Sequence, residues 1–183
     1  LWAFSNMDEV ELWVNGKSLG RKTMPKNGHL SWDAVYRPGK VKAVGYKNGK
    51  KAMETVIETT GAPSELNLKA DRTILKADNK DVAVVDVAVL DSKGRFVPDA
   101  NVVLDIEADG PLRILGAGNG DPAFRTAERP ADPEARHFSI STFNGLARIL
   151  VQSSSDEGTA TLTVTSPGLP DQSVTIETSG DRR

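Results

Sequence analysis

The side chains that could carry acid–base or nucleophilic chemistry are few and scattered along the sequence. The 183 residues include no cysteine, which excludes thiolate nucleophiles, thiolate metal sites and disulfides. The two histidines, His29 and His137, are far apart and match no metal-ligand spacing. General acid–base catalysis needs paired groups around one site. The carboxylates Asp86, Asp105 and Glu107 lie instead on the polar faces of strand-like segments. The sequence therefore predicts no catalytic residue and no cofactor.

A glycine-rich stretch, Gly116–Pro122, is the most conspicuous local motif. A phosphate-binding loop would need a helix after it, but Pro122 and a polar segment follow. Oxygen ligands for Ca²⁺ could come from Asp109, Asn119 and Asp121, although their spacing matches no known calcium loop. The favoured interpretation is a backbone turn with positive φ at the glycines, and the calcium site remains a second hypothesis.

Aromatic side chains offer candidates for contact with a sugar or with another domain. Trp13 shares a strand face with Glu11, opposite the apolar face of Val10 and Leu12. A large ring on the polar face favours packing against a second layer or a neighbouring domain over free exposure. Trp2 and Tyr46 are the other candidates by the same parity argument. Trp13 is the principal interface or sugar-contact candidate.

The elements that must hold these residues have a period of two almost throughout. Ala160, Leu162 and Val164 alternate with threonines, which is typical of a strand with one buried and one solvated face. Asn-Gly turns separate such runs, and Asn48-Gly49 predicts a hairpin between strands near residues 40–47 and 51–59. Helical stripes are absent. The pattern predicts an all-β chain of two consecutive immunoglobulin-like β-sandwich domains.

The domain boundary is predicted near residues 60–64, where small residues, a glycine and a proline come together. This gives a small domain over residues 1–61, expected to lack an N-terminal strand, and an Ig-like domain over 62–183. The first carries ten Lys and Arg against six Asp and Glu, and the second thirteen against nineteen. Such asymmetry suggests units that attract each other or neighbouring parts of a larger protein. The irregular segment 119–136 is given no role.

Several classes of function are excluded by composition. No apolar run approaches the roughly 20 residues of a membrane-spanning helix, so no membrane partner is expected. The basic residues of the first domain form no dense cluster, which argues against nucleic acid.

The stretch Ser5–Gly20, read as SNMDEVELWVNGKSLG, resembles the SN-x-D-x-VEL-aromatic-x-NGKSLG segment of β-galactosidase-like enzymes of glycoside hydrolase family 2. The similarity extends over nearly the whole chain. Its further matching pieces are His29–Trp32, Tyr36–Gly39, Lys42–Tyr46, Leu68–Arg72, Gly116–Pro122 and Phe143–Ala147. The 119–136 loop departs from the family pattern.

The resemblance implies a role in carbohydrate breakdown without catalysis by this chain. In that family the catalytic glutamates lie in a (β/α)₈ barrel, and none of them maps onto a position here. The implied role is that of C-terminal accessory domains that pack on an upstream catalytic domain or support oligomerisation. The same resemblance implies a periplasmic or extracellular bacterial enzyme.

Two alternatives remain open at this point. One is a stand-alone carbohydrate-binding module, which would need coplanar exposed aromatic rings. The other is a tandem adhesin-type Ig stalk, which predicts an internal repeat that the sequence does not contain.

Overall fold

The computed structural model describes residues 1–123, 125 and 127–180. Within this part of the chain all regular structure is β-strand, so the predicted all-β class is confirmed. The chain divides into two units, Leu1–Thr59 and Thr60–Arg183. None of the described residues forms a helix with the length and apolarity that crossing a membrane requires.

The first unit consists of a four-stranded antiparallel sheet and a two-stranded ribbon. Sheet order is β3-β2-β5-β6, and the ribbon pairs β1 with β4. The strands are β1 Trp2–Ala3, β2 Glu9–Val14, β3 Lys17–Thr23, β4 Leu30–Ser31, β5 Lys40–Lys47 and β6 Lys50–Glu58. The predicted Asn48-Gly49 hairpin is present, and both residues have the positive φ, 49° and 75°, that a tight two-residue turn requires.

The core of the first unit lies between the sheet and the ribbon. Val10 and Leu12 of β2, whose shared apolar face the sequence predicts, pack with Leu30 and Trp32 from the ribbon side. The sequence also predicts a strand over Leu30–Ala34, and its length is wrong. β4 covers Leu30–Ser31, where Ser31 pairs with Trp2 of β1.

The second unit is a sandwich of a five-stranded and a four-stranded sheet. Their orders are β12-β10-β14-β15-β8 and β11-β13-β9-β7, and all pairs are antiparallel except β15 with β8. The strands are β7 Pro63–Ala70, β8 Ile74–Lys76, β9 Val82–Asp91, β10 Val103–Asp109, β11 Leu112–Gly118, β12 His137–Ser141, β13 Leu146–Ser153, β14 Gly158–Ser166 and β15 Leu169–Ser179.

The core of the sandwich follows the predicted alternation. Val85, Val87 and Val89 of β9 are fully buried, as are Leu162 and Val164 of β14. These side chains belong to a single apolar cluster formed by strands of both sheets. The residues between them point outward and are partly or fully exposed, as expected for strands with one dry face.

In the Gly116–Pro122 motif the glycines matter mainly because another backbone segment lies close to them. An unusual φ is found only at Gly120. Gly120 has the predicted positive φ of 78°, but Gly116 and Gly118 do not, which corrects that part of the prediction. The loop after β11 returns along this strand, so that Ala117 N–H donates to the carbonyl of Glu128 over 2.8 Å. A Cβ on Gly116 would lie 2.4 Å from that carbonyl oxygen. The lack of a side chain at Gly116 therefore allows the loop to lie directly against β11.

We expect Gly116→Ala to displace the loop from β11 and to cost about 2 kcal/mol, because a backbone oxygen cannot move aside as a side chain can. Amide hydrogen exchange at Ala117 measures this. We expect exchange faster by about tenfold or more, because the Ala117 N–H loses its hydrogen bond to the Glu128 carbonyl. Gly118→Ala is the matched control, since its Cβ would meet Glu128 Oε1 at an ordinary 3.7 Å. Equal exchange in the two variants would contradict the close-approach role.

Candidate interaction surfaces

One face of the first unit's sheet brings two of the three aromatic candidates together around a carboxylate. We call it the Glu11 surface, and it consists of Glu9, Glu11, Trp13, Ser18, Arg21, Lys42 and Tyr46. Register places these residues on one side because Glu11 stands opposite Arg21 on β3 and Trp13 stands opposite Lys42 on β5. Trp13 and Tyr46 thus lie on the same face, on either side of Glu11, although 33 positions separate them in the sequence.

The Glu11 carboxylate is the centre of this surface. Ser18 Oγ donates to Oε1 over 2.6 Å, and the Tyr46 hydroxyl donates to Oε2 over 2.9 Å. The Ser18 hydrogen bond is the main cause of a lowered Glu11 pKa, with Tyr46 contributing, and the same contact with Glu11 raises the pKa of Tyr46. Trp13 Nε1 is buried, and no group of the described residues lies at normal hydrogen-bond geometry to it. The carboxylate is therefore held ionised by its neighbours.

Both rings of the Glu11 surface carry a cation over one face. The Arg21 guanidinium lies 3.6 Å from the Tyr46 ring centroid, and Lys42 Nζ lies 5.2 Å from that of Trp13. Arg21 also pairs with Glu9. Sugars stack on uncovered ring faces, so these cation–π contacts compete with such stacking. The Glu11 surface therefore presents cationic side chains that lie over aromatic rings. Such an arrangement suits contact with a polar protein surface.

Trp2 lies apart from the Glu11 surface. It is 70% exposed, and its ring centroid is 4.5 Å from that of His29, which also contacts Phe4. Trp2 helps to line a groove of about 260 Å³ on the opposite face of the sheet. We call this the β1 groove, lined by Leu1, Trp2, Ala3, Phe4, Ser5, Val10, Leu12, Val41, Ala43, Gly45, Met53, Thr55 and Ile57.

Two of the three calcium candidates, Asn119 and Asp121, take part in local turns, and Asp109 ends strand β10. Asn119 Nδ2 donates to the Ser141 carbonyl over 3.0 Å, while its Oδ1 accepts from the Asp121 N–H. Asp121 Oδ1 in turn accepts from the Ala123 N–H. Asp109 is exposed on β10. Within the described ranges, no three acidic or histidine side chains are placed to hold a metal ion.

The carboxylates Asp86, Asp105 and Glu107 are all exposed. Asp86 pairs with Arg148 over 2.7 Å, and Glu107 lies 3.4 Å from His137. The sequence reasoning overlooked Asp91, which is fully buried at the end of β9. An Asp followed four residues later by Arg95 around the Lys93-Gly94 turn was the available signal.

Comparison with known proteins identifies the family to which this chain belongs. A family model described as glycoside hydrolase family 2 C-terminal domain 5 matches residues 66–175. The chain belongs to this family. Residues 1–53 match a second model, a domain of unknown function (DUF4982). The predicted resemblance to the C-terminal region of glycoside hydrolase family 2 is therefore confirmed.

Relatives of this family 2 C-terminal region are enzymes much longer than the chain. A β-galactosidase, BoGH2A, from Bacteroides ovatus is 40% identical over 92% of this chain but only 19% of its own length. A β-glucuronidase from Formosa agariphila is 33% identical over 97% of the chain and 18% of its own length. The crystal structure of a glycosyl hydrolase family 2 member from Bacteroides cellulosilyticus superposes with a TM-score of 0.89 at 30% identity, covering 97% of this chain and 22% of that one.

Proposed function

We propose that these residues are the non-catalytic C-terminal accessory region of a larger, exported, β-galactosidase-like hydrolase. The region packs on the catalytic domain of the same polypeptide or supports its oligomerisation. The observation that carries the proposal is the coverage of the relatives. More than nine-tenths of this chain matches the β-galactosidase from Bacteroides ovatus, yet the match spans only 19% of that enzyme. A region of this kind contributes surface and stability, while chemistry takes place elsewhere.

The arrangement of carboxylates supports the same proposal. Glycosidic hydrolysis uses two carboxyl groups that flank a bond, roughly 5 to 10 Å apart. Here Glu11 is hydrogen-bonded to Ser18 and Tyr46, and Asp86 is paired with Arg148. Each of these carboxylates is already hydrogen-bonded or ion-paired to side chains on its own sheet. The Glu11 surface, with charges fixed over rings, suits the polar contact between domains of one chain.

Activity measurements test the proposal. We expect the purified 183-residue chain to leave an aryl β-galactoside unchanged, while the full-length parent hydrolyses an aryl glycoside. Hydrolysis by the purified chain that copurifies with it through two chromatographic steps would contradict the non-catalytic role. A native gene that encodes no barrel-sized segment (roughly 250 residues) before Leu1 would contradict the accessory role. A titration of tryptophan fluorescence with galactan identifies the alternative, since a change at millimolar sugar would indicate a binding module.

A substitution at Trp13 tests where the region docks. We expect Trp13→Ala to lower the melting temperature of the isolated chain by less than about 5 °C, because the ring is only partly buried. In the full-length parent the same change should speed tryptic release of the region by about tenfold, as the docked population falls. Tyr36→Ala is the control, because it removes a ring that is 76% exposed and belongs to neither the Glu11 surface nor the β1 groove. A large fall in melting temperature of the isolated chain would make Trp13 a core residue instead.

A further inference from the structure

The outer edge of β6 is an open strand edge in the interior of the sequence. β6 lies at one end of its sheet, where β5 is its neighbour, and all but the last of its nine residues are exposed. Among the described residues, no backbone group outside β5 is hydrogen-bonded to the stretch Met53–Ile57. A strand edge in this condition is a template on which another strand can pair.

The two edges of this sheet differ in how well they accept a further strand. β3, at the other end, is interrupted by a register shift and by Gly20, whose φ is 98°. In β6 the register shift lies near the start of the strand, beside Tyr46, and pairing is regular from Met53 to Glu58. That stretch also contains no proline. Irregularities and prolines protect strand edges from pairing, so β6 is the more receptive edge.

The existing pairing shows which backbone groups of β6 face outward. Thr59 N–H donates to the Gly39 carbonyl over 2.8 Å, so the backbone groups of Thr59 face β5. The direction of these groups alternates along an antiparallel strand, so those of Ile57 also face β5. Glu54 and Val56 therefore direct their N–H and carbonyl groups outward, and a further strand would bond to them.

A second copy of β6 fits this edge in one symmetric register. The outward groups fall at every second residue, so a two-fold axis that keeps most of the strand paired passes through Glu54, Thr55 or Val56. An axis at Glu54 sets the two Glu54 carboxylates opposite each other, and an axis at Val56 sets Glu54 opposite Glu58. Like charges directly opposite are destabilising. An axis at Thr55 sets Glu54 opposite Val56 and avoids both clashes.

We propose that two copies of this chain pair antiparallel through β6, about an axis at Thr55, and join two four-stranded sheets into one. The inference rests on the proposed function, since it assigns the oligomerisation named there to a surface. Glu54 of each copy exchanges backbone hydrogen bonds with Val56 of the other. The same register sets Met53, 49% exposed, opposite the second copy's Ile57, 72% exposed, so apolar side chains meet.

Sedimentation velocity of the 183-residue chain at rising concentration measures the association. An interface of one strand is small, so we expect the average mass to approach twice that of the monomer between about 10 µM and 1 mM. Amide hydrogen exchange locates the contact. The N–H groups of Glu54 and Val56 should exchange at least about tenfold more slowly at the highest concentration. The Thr55 N–H already faces β5 and should be unchanged.

A change of charge at Val56 tests the register. Val56→Lys places a cation opposite Glu54 of the other copy, whereas Val56→Glu places a second carboxylate there, and symmetry repeats each contact. We expect the dimer Kd of the lysine variant to be lower by about tenfold or more than that of the glutamate variant. The same two substitutions at Val103, a valine of the second unit that is 48% exposed, are the matched control and should leave the Kd unchanged.

Four results bear against the pairing or separate it from the proposed function. A chain that stays monomeric at the highest concentration would overturn the pairing, and so would equal Kd values for the two Val56 variants. Protection of the Glu54 and Val56 amides that appears only in the full-length parent, at any concentration, would also overturn it, since another segment would then hold the edge. Hydrolysis by the purified chain would sink the proposed function and leave the β6 dimer standing.

Discussion

An Asp91→Asn variant is expected to melt roughly 10 °C below the wild type in the transition of the second unit. Asp91 is fully buried, and its two oxygens accept from five donors. Oδ1 accepts from the N–H groups of Lys93 and Arg95. Oδ2 accepts from the Gly61 N–H over 2.7 Å and from the Arg95 guanidinium. An amide in place of one oxygen would set a donor against donors in a fully buried site.

The matched control for Asp91 lies on the same strand. Asp86 is also on β9 and also pairs with an arginine, Arg148, but both partners are more than half exposed. Exposed ion pairs contribute little to stability, so Asp86→Asn should change the melting temperature by less than about 2 °C. Thermal unfolding followed by circular dichroism measures both variants. Comparable shifts in the two would show that burial at Asp91 is not what makes it important.

The stability contributed by Asp91 should depend on pH. Arg95 first, and then the Gly61 N–H and its neighbours, hold the pKa of the Asp91 carboxyl well below its usual range. A lowered folded-state pKa means that the unfolded chain takes up the proton first, at about pH 3.9 for aspartate. The contribution is therefore complete above about pH 5 and is lost as pH falls through about 4 and below. The difference between wild type and Asp91→Asn should shrink over that range, and a difference that grows on acidification would contradict this account.

The second large effect is expected at Gly145, where an alanine should cost about 3 kcal/mol. Gly145 has a φ of +78°, and a Cβ there would lie 2.2 Å from the Val97 carbonyl oxygen and 2.9 Å from the Phe96 ring. Its own N–H donates to the Ala100 carbonyl over 2.7 Å. The turn between β12 and β13 thus packs directly on the segment after β9. Chemical denaturation of the variant gives the free energy of unfolding.

Gly94→Ala separates the two causes of this cost. Gly94 has nearly the same φ, +70°, but no atom of the described residues lies within 4 Å of the position a Cβ would take. Its substitution should cost about 1 kcal/mol, which is the price of the left-handed conformation alone. The additional loss of unfolding free energy in Gly145→Ala, compared with Gly94→Ala, then measures the crowding by Val97 and Phe96. If both variants lost the same free energy, crowding by Val97 would be of no consequence.

Much of the fold follows from local features of the sequence. The alternation of Ala160, Leu162 and Val164 with threonines requires one dry face, and the Asn48-Gly49 pair closes a hairpin by its backbone geometry. The segment Ser5–Gly20 was sufficient to indicate the family. Such features depend on neighbours within a few residues, so they can be read without knowing which strands pair.

The candidate surfaces depended on pairing between distant strands. Parity placed Trp13 beside Glu11, but the β2–β5 register was needed to bring in Tyr46 and to lay Lys42 over the Trp13 ring. The strand expected over Leu30–Ala34 covers only Leu30–Ser31, the two residues that pair with β1.

By itself the sequence determined the all-β class, the main turns, the inward faces of the strands and the family, since period-two alternation and Asn-Gly turns act over a few residues. Only the tertiary structure decided that Asp91 is buried among donors and that Gly116 must lack a side chain. Both outcomes arise from segments that are distant in sequence and meet only once the sheets have formed: Gly61 lies 30 residues from Asp91, and Glu128 lies in a loop that returns along β11.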